Sequence, residues 1–131
     1  IFLGKLLRGE PLTIFSNGKQ TRDFVYVGDV ANAWIMAIDQ KETFGKIFNI
    51  GSGEEHTVEE VARILQASIS QFQAKNPTIY SSAELGGAQK SVADISRITR
   101  TLGWKPKTSF TEGIYRTVEW ARNLRPHDLY V

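Results

Sequence analysis

The sequence predicts one α/β domain with three or four short strands and about five helices. Runs rich in β-branched and aromatic residues alternate with stretches whose apolar residues recur at helical spacing. Glycine and proline separate these segments. The chain has 131 residues, room for one domain of ordinary size, and 41% of them are hydrophobic, which is typical of a soluble globular protein.

The N-terminal part is predicted to form a helix and a hairpin. The helix ends at Gly9 and carries its apolar residues on one side: Phe2, Leu3, Leu6 and Leu7. Because the chain begins inside this apolar segment, we expect it to be a piece of a longer protein. The β-prone runs Thr13–Phe15 and Asp23–Val27 flank Asn17-Gly18, a dipeptide that favours a tight turn, so we expect them to pair as a hairpin.

The next helix is expected over residues 30–39 with Asp29 as its N-cap. Its apolar residues cover most of the helix circumference, which predicts burial on more than one side. Lys46–Ile50 is the next predicted strand, and the turn Gly51-Ser52-Gly53 ends it.

The C-terminal half contains two capping boxes, each of which predicts a helix start. Thr57 and Glu60 precede a helix with a clear apolar stripe, formed by Val58, Val61, Ala62, Ile64, Leu65 and Ile69. Ser109 and Glu112 precede a second helix, with Phe110, Ile114, Val118 and Ala121 on one face. Between them we expect a strand at Thr78–Tyr80 and a short helix from Asp94, its N-cap, to Gly103, and we expect residues 126–131 to form a tail.

Composition excludes several classes of function. The 16 Lys and Arg against 14 Asp and Glu give a net charge of +2, which argues against a nucleic-acid-binding protein, although three Trp and the slight basic excess leave that alternative in third place. No apolar run reaches the length of about 18 residues that a membrane span needs. Zero Cys excludes disulfides, thiolate metal sites and a cysteine nucleophile, and fits a cytoplasmic protein.

Candidate catalytic residues are few. The two histidines, His56 and His127, show no spacing typical of a metal site or a catalytic triad, and a solvated surface role is the simpler interpretation for His56. Gly51-Ser52-Gly53 follows a predicted strand and precedes a helix, as a dinucleotide-binding turn does. His56 stands where the third glycine of that motif belongs, so a tight structural turn is favoured.

Arg22 is the most informative polar residue. Its guanidinium is suited to phosphate oxygens, and it precedes a β-prone run. A structural ion pair with Asp23 or Asp29 explains the same position, and the residues alone do not decide between these roles.

The chain resembles the C-terminal, substrate-binding region of the NAD-dependent nucleotide-sugar epimerases and dehydratases, which are extended short-chain dehydrogenases/reductases. Four blocks carry this resemblance, in the order that the family has them: Pro11–Phe15, Gln20–Val30, Phe48–Gly53, and Ala93–Ser96 continued by Leu102–Pro106. Together they span almost the whole chain. The resemblance is greatest to UDP-glucose and UDP-N-acetylglucosamine 4-epimerases.

This resemblance implies a small C-terminal lobe over residues 1–125, whose partner is an N-terminal Rossmann domain that holds NAD. The family's catalytic Tyr-x-x-x-Lys pair is absent, since no Tyr of this chain is followed four residues later by Lys. What the resemblance leaves to this chain is the clamp for a nucleotide-diphosphate sugar, with a UDP-sugar expected. The residues implied are Thr13, Phe15, Arg22 and Asn49. Thr13 to Phe15 would contact the base, and Arg22 would contact the diphosphate.

One block departs from the family's pattern. The family commonly has Arg-x-Gly-Asp before the Ala-Asp-Ile-Ser block, and Glu84 and Gly87 stand here in place of its Arg and Asp. A second phosphate-binding cation is therefore in doubt, and Lys90 is a substitute by proximity only.

The leading hypothesis is a fragment of an NAD-dependent 4-epimerase, inactive and without bound NAD when alone, from a homodimeric parent enzyme. The alternatives are a 4,6-dehydratase or keto-sugar reductase of the same family, and a non-catalytic nucleotide-sugar-binding or scaffold protein. In each case we expect apolar surface on the face that meets the absent domain, and hence self-association.

Overall fold

The computed structural model describes residues 1–69, 77–82 and 88–124, which form five α-helices, one 3-10 helix and four short strands. In chain order they are α1 (Phe2–Leu7), β1 (Leu12–Phe15), β2 (Thr21–Arg22), α2 (Val27–Ile38), the 3-10 helix (Lys41–Thr43), β3 (His56–Thr57), α3 (Val58–Ser68), β4 (Thr78–Ser81), α4 (Ser96–Leu102) and α5 (Phe110–Arg122). The mixed α/β class and the expected numbers of helices and strands are confirmed. The predictions that concern Glu84, Gly87, His127 and the tail at 126–131 lie outside the described residues.

The predicted hairpin is wrong, because β1 pairs in parallel with β4 from Leu12–Thr78 to Phe15–Ser81. A turn does form around Asn17, whose side-chain oxygen accepts a hydrogen bond from the Lys19 amide at 3.0 Å. Beyond it, however, the Gly18 carbonyl accepts from the Glu59 amide at the start of α3. The free amides of a helix N-terminus thus take the acceptors that a hairpin would have used.

The predicted strand at Asp23–Val27 is also wrong. The only strand in this region of the described chain is β2, which pairs antiparallel with β3 through Thr21–Thr57 and Arg22–His56. Residues 23–26 have no regular structure, and α2 begins at Val27. The helix takes Val27 because the Asp29 and Val30 amides both donate to the Tyr26 carbonyl, so the first turn closes there.

Asp29 is not the N-cap of α2, as the sequence had suggested. Tyr26 occupies that position, and Asp29 lies in the first turn of the helix with only 7% of its surface exposed. Its carboxylate accepts a hydrogen bond from the Thr108 amide at 2.9 Å, and its backbone carbonyl accepts from the Trp104 indole at 3.2 Å. Asp29 therefore joins α2 to the segment between α4 and α5.

The predicted burial of α2 on more than one side is wrong for this chain. Ala33 is buried, but four large residues remain exposed, and we call their surface the outer face of α2: Val27, Trp34, Ile35 and Ile38. These residues fall at helical spacing on one side of the helix. A helix that is apolar around most of its circumference therefore has one side uncovered in the part of the chain that the structure describes.

The predicted strand at Lys46–Ile50 has no regular structure. Its sequence suits a strand, but no described segment pairs with it. The Ile47 carbonyl accepts instead from the Arg97 guanidinium at 2.9 Å, and the same guanidinium lies over the Phe48 ring. A β-prone sequence forms a strand only where a neighbouring strand supplies the hydrogen bonds.

The helix starts and ends that depend on nearby residues are confirmed. Thr57 and Glu60 form both bonds of the capping box, and Ser109 accepts a hydrogen bond from the Glu112 amide. Gly103 ends α4 in the left-handed conformation, at φ +67°. The prediction of Asp94 as the N-cap of α4 is wrong by one residue, because Ile95 holds that position before the helix start at Ser96, although the Asp94 carboxylate accepts from the Ser96 amide at 2.9 Å.

Two hydrophobic clusters hold the described part of the chain together. The first joins α1, β1, α3 and α5 and consists of Leu6, Leu12, Ile14, Ala62, Leu65, Ile69 and Val118. The second joins α2, α4 and the segment after α4 and consists of Ala33, Ile98 and Trp104. Within the described ranges, none of the helices has the length and apolar character needed to cross a membrane.

Candidate functional site

A polar cleft of about 520 Å³ lies where three segments of the chain meet. Arg22 and Asp23 line it from the end of β2. The two other segments that line it are Phe48–Ile50 and Ser91–Ala93. The cleft thus combines a cation, an amide side chain and backbone groups, which are typical donors to phosphate oxygens.

Arg22 lies at the mouth of this cleft, and Nη1 of its guanidinium is held by two backbone carbonyls. It donates to Thr21 O at 2.7 Å and to Ala88 O at 2.8 Å. Among the described residues Arg22 has no acidic partner, and the donors on Nε and Nη2 have none either. The ion pair with Asp23 or Asp29 that the sequence left open is therefore not formed, since both carboxylates bind other groups.

Asp23 makes the densest set of hydrogen bonds around the cleft. Its Oδ1 accepts from the Ser52 amide at 2.5 Å and from the Ser52 hydroxyl at 2.6 Å. Its Oδ2 accepts from the Gly53 amide at 3.0 Å and from the Ala93 amide at 3.1 Å. Partial burial raises the pKa of Asp23, but these hydrogen bonds outweigh it, and the resulting pKa lies below the ordinary value of 3.8.

These contacts explain the Gly51-Ser52-Gly53 turn. Its amides do bind an anion, as the amides of a dinucleotide-binding turn do, but that anion is the chain's own Asp23 carboxylate. Gly51 allows the close approach, because a Cβ atom there would lie 2.4 Å from Asp23 Oδ2 and 2.6 Å from Ala93 Cβ. The structural interpretation of this turn accounts for its geometry.

The structure brings together two of the four expected substrate-binding residues. Arg22 and Asn49 line the same cleft, and the exposed Asn49 side chain donates to the Asp94 carbonyl at 3.4 Å. Thr13 and Phe15 lie on β1 and do not line the cleft. Thr13 accepts a hydrogen bond from Lys5 at 3.4 Å, and 38% of Phe15 is exposed. The predicted contact of Thr13 and Phe15 with a base stays a prediction.

Lys90, the substitute considered for a second phosphate-binding cation, already has a partner. Its ammonium lies 3.3 Å from a Glu55 carboxylate oxygen. Hydrogen bonds from Thr21 and Lys90 lower the pKa of Glu55, so this partner is ionised at neutral pH. Lys90 is therefore a weaker candidate for phosphate than Arg22.

His56 is not the solvated surface histidine that the sequence suggested. Its ring stacks on the Phe110 ring with 3.7 Å between centroids, and only 20% of its side chain is exposed. The Glu54 and Glu60 carboxylates lie 3.6 and 3.8 Å from its two ring nitrogens. His56 thus packs β3 against the start of α5. In the described ranges, no three His, Asp or Glu side chains come close enough together to hold a metal ion.

The hydrogen bonds of Asp23 and Asp29 were not predicted from the sequence. Both residues were expected only as ion-pair partners of Arg22, and Asp29 also as the N-cap of α2. The adjacent Gly-x-Gly turn was the available signal for Asp23, because such turns present amides to an anion.

The family model described as GDP-mannose 4,6 dehydratase matches residues 3–117. The chain is 41% identical over 123 residues to a protein of Methanocaldococcus jannaschii that is provisionally named a UDP-glucose 4-epimerase. It is 34% identical, also over 123 residues, to the UDP-glucose 4-epimerase of Mycolicibacterium smegmatis. Each alignment covers 94% of this chain and 38% of the relative, so the chain spans well under half the length of these relatives.

Solved structures give the same result. A UDP-glucose 4-epimerase from Thermotoga maritima, crystallised with UDP-glucose, matches with a TM-score of 0.81 and 35% identity over 92% of this chain and 38% of that one. A mutant UDP-glucuronic acid 4-epimerase from Bacillus cereus, in complex with UDP-4-deoxy-4-fluoro-glucuronic acid and NAD, matches with a TM-score of 0.79 and 27% identity. That match covers 95% of this chain and 39% of the other.

Proposed function

Because this chain belongs to the GDP-mannose 4,6-dehydratase family, within the extended short-chain dehydrogenases/reductases that act as nucleotide-sugar epimerases and dehydratases, we propose that it is the substrate-binding portion of an NAD-dependent UDP-sugar 4-epimerase. In this assignment residues 1–125 form the substrate-binding region and the remaining residues a tail. The named relatives and solved neighbours that act on UDP-sugars support the choice of nucleotide.

The observation that carries this proposal is the cleft that Arg22 and Asn49 share. The Arg22 guanidinium is anchored by two carbonyls through Nη1, while its remaining N–H groups have no partner among the described residues. An anchored guanidinium loses little conformational freedom on binding, and its planar geometry matches phosphate oxygens. We assign the diphosphate of the UDP-sugar to Arg22 and Asn49.

The described residues do not fit NAD. The one Gly-x-Gly turn that follows the pattern of a dinucleotide site donates two of its amides, those of Ser52 and Gly53, to the Asp23 carboxylate, which stands where a pyrophosphate would have to bind. We therefore place NAD, and the tyrosine acid/base that the family uses, in a part of the enzyme outside these 131 residues. Bound there, NAD would supply the hydride chemistry that the reaction needs. The contribution of this chain is to bind and orient the nucleotide diphosphate, so that binding energy remote from C4 positions the sugar.

The outer face of α2 supports a larger parent enzyme. Trp34 and Ile38 are 68% and 67% exposed, and Phe44 and Ile47 just beyond the helix are 64% and 82% exposed. Several large exposed apolar side chains on and just after one helix are typical of an interface. We propose that the N-terminal NAD-binding domain covers it, and that the parent enzyme is a homodimer.

A 4,6-dehydratase is the second candidate, because the matching family model is described by that activity. Both reactions begin with oxidation at C4 and need the same diphosphate clamp, so the cleft serves either enzyme. The two are distinguished by incubating the intact enzyme with UDP-glucose and separating the products. A 4-epimerase yields UDP-galactose, and a 4,6-dehydratase yields a 4-keto-6-deoxy sugar.

Substitution of Arg22 tests the diphosphate clamp. In the intact enzyme, Arg22→Ala is expected to weaken UDP binding by on the order of 2–4 kcal/mol, as for a charged contact in a partly desolvated pocket. Arg22→Lys should cost less, because an ammonium keeps the charge and loses only the planar geometry. Both are measured by calorimetric titration with UDP.

Arg63→Ala is the matched control, since Arg63 is exposed on α3 and does not line the cleft. It should leave UDP affinity unchanged. A folded Arg22→Ala protein with unchanged UDP affinity and a lower melting temperature would assign Arg22 a structural role and contradict the proposal.

A further inference from the structure

The walls of the cleft are both bonded to the side chain of Asp23. Asp23 follows Arg22 directly, and its carboxylate accepts hydrogen bonds from the Ser52–Gly53 turn and from Ala93. The turn continues the Phe48–Ile50 wall, and Ala93 ends the Ser91–Ala93 wall. The Asp23 carboxylate therefore links the Arg22 segment to both walls, and the longer bond from Asn49 to the Asp94 carbonyl, at 3.4 Å, is a second link between them.

The two carboxylate oxygens of Asp23 accept four hydrogen bonds from these walls. Oδ1 accepts both Ser52 donors, whereas Oδ2 accepts the Gly53 and Ala93 amides. Only a group with two acceptor oxygens satisfies all four donors. An asparagine would offer one oxygen and turn its NH2 group toward two N–H donors, so one side of the junction would lose its bonds.

A carboxylate in a cleft for a diphosphate calls for an explanation, since two anions repel each other. Four donors already surround the Asp23 oxygens, and the pKa of this group lies below its ordinary range because of them. The oxygens of this carboxylate are thus occupied by donors of the chain itself. Its effect on a phosphate would then be transmitted through the wall positions.

We propose that Asp23 is a positioning residue for the diphosphate: by holding Ser52, Gly53 and Ala93, it sets the separation of Arg22 and Asn49 across the cleft. This inference rests on the proposed function, because it assumes that the cleft binds a nucleoside diphosphate. It predicts that loss of the negative charge at Asp23 weakens diphosphate binding. Electrostatic repulsion alone predicts the reverse.

The main test is Asp23→Asn in the intact enzyme, with UDP and uridine as the two titrants. We expect at least a tenfold loss of UDP affinity and less than a twofold change for uridine, which has no phosphate. Asp39→Asn is the control of matched charge, since Asp39 is exposed at the end of α2 and outside the cleft. It should change neither affinity.

A double-mutant cycle with Arg22→Ala separates positioning from a general loss of stability. If Asp23 acts through the geometry around Arg22, Asp23→Asn should cost less than threefold in UDP affinity once Arg22 is removed. Equal losses in the presence and absence of Arg22 would overturn the proposal. So would a folded Asp23→Asn protein that binds UDP as tightly as the wild type, or more tightly.

Ser52 provides a milder variant in case Asp23→Asn does not fold. Ser52→Ala removes one of the four donors and leaves the three backbone donors, so a threefold to tenfold loss of UDP affinity is expected. Ser52→Thr keeps the hydroxyl and should restore most of it. Unchanged UDP affinity in Ser52→Ala would contradict the proposal.

Failure of the proposed function has a different signature. In that case the wild-type enzyme would bind UDP no more tightly than uridine, and Arg22→Ala would have no effect. Failure of the positioning role alone leaves the Arg22 effect in place and removes only that of Asp23 and Ser52.

Discussion

The two hydrophobic clusters differ in how far each is closed by the described chain itself. The first has seven buried residues contributed by four elements, and partly buried side chains such as Phe2, Leu3 and Ile114 pack against it. The second has three buried residues and lies under α2, whose outer face remains exposed. The first cluster therefore resembles a complete small core. The second resembles one side of a core that another part of an enzyme completes.

The candidate site lies on the side of the molecule with the smaller hydrophobic cluster. The cleft lies beside the second cluster, since Phe48 and Ile50 belong to both. Asp23 accepts a hydrogen bond from the Ala93 amide across the cleft, and Asp29 accepts one from the Thr108 amide nearby in the second cluster's part of the fold. Hydrogen bonds thus connect these segments where few apolar side chains are buried. Such bonds are directional, so they fix the relative positions of side chains in a way that apolar packing alone does not.

Two tryptophans provide the sharpest test of this contrast. Trp104 is 1% exposed and Trp34 is 68% exposed. Trp104→Ala should lower the free energy of unfolding by about 3–5 kcal/mol, because it empties most of the second cluster. Trp34→Ala should change it by about 0.5 kcal/mol or less in the 131-residue chain. Urea denaturation measures both, and similar costs would show that the outer face of α2 is covered in solution.

A smaller loss is expected from Asp29→Ala. This substitution leaves the Thr108 amide without its acceptor, so we expect a loss of about 1–3 kcal/mol in unfolding free energy. Asp39→Ala, on an exposed residue at the end of the same helix, is the control and should be close to neutral. If the two variants were equally stable, the bond from the Thr108 amide to the Asp29 carboxylate would contribute nothing to stability.

The capping box of α3 tests the first cluster in the same way. Thr57→Ala removes the acceptor of the Glu60 amide and should cost about 1 kcal/mol, whereas Thr57→Ser keeps that acceptor and should cost less. Thermal unfolding of the two variants measures the difference. A cost for Thr57→Ala above that for Trp104→Ala would contradict the expectation that a helix cap contributes less to stability than a buried Trp side chain.

The stabilising effect of Asp23 should depend on pH in a defined direction. Its pKa in the folded chain lies below the ordinary 3.8, so folding favours the ionised form. The stabilisation that the ionised Asp23 carboxylate provides is complete well above pH 3.8, and it is lost as the pH falls through the lowered pKa of the folded chain. The stability difference between wild type and Asp23→Asn should therefore be largest near neutral pH and should narrow below pH 3.8. A difference that widens in acid would contradict the assigned pKa direction.

The smallest effect on stability is expected for the double substitution Trp34→Ser and Ile38→Ser. Both side chains lie on the outer face of α2, so unfolding free energy should change little. Self-association of the 131-residue chain, measured by sedimentation velocity at high concentration, should decrease. A wild-type chain that remains monomeric at high concentration would contradict the expectation that this face causes self-association.

The features that were predictable from sequence depend on residues a few positions apart. The capping box at Thr57, the Ser109 cap of α5, of which one bond forms, and the end of α4 at Gly103 were predicted for this reason. The pairing of β1 was not, because the competing amide donors at the start of α3 and the partner strand β4 lie far along the chain. The predicted strand at Lys46–Ile50 does not form, because a strand also needs a neighbour and no described segment pairs with it.

The candidate site shows the same division. Arg22 and Asn49 were chosen on the basis of motif resemblance, and the structure places both at one cleft. Thr13 and Phe15 came from the same resemblance and lie apart from that cleft. The hydrogen bonds of Asp23 were not predicted, because its donors belong to residues 29 and 70 positions away, and the Gly-x-Gly turn indicates only that some anion is bound there.

The bond between Asp23 and Ala93 also has a consequence for synthesis. At about 5–20 residues per second, a ribosome needs about 4–14 s to extend the chain over the 70 positions that separate these residues. During that interval Arg22 and Asp23 have been synthesised, but the wall that completes their cleft has not. The same holds for β1, whose partner strand β4 is synthesised later. The N-terminal apolar segments are therefore exposed to chaperones for seconds before the cleft can form, whatever the intrinsic folding rate of the completed chain.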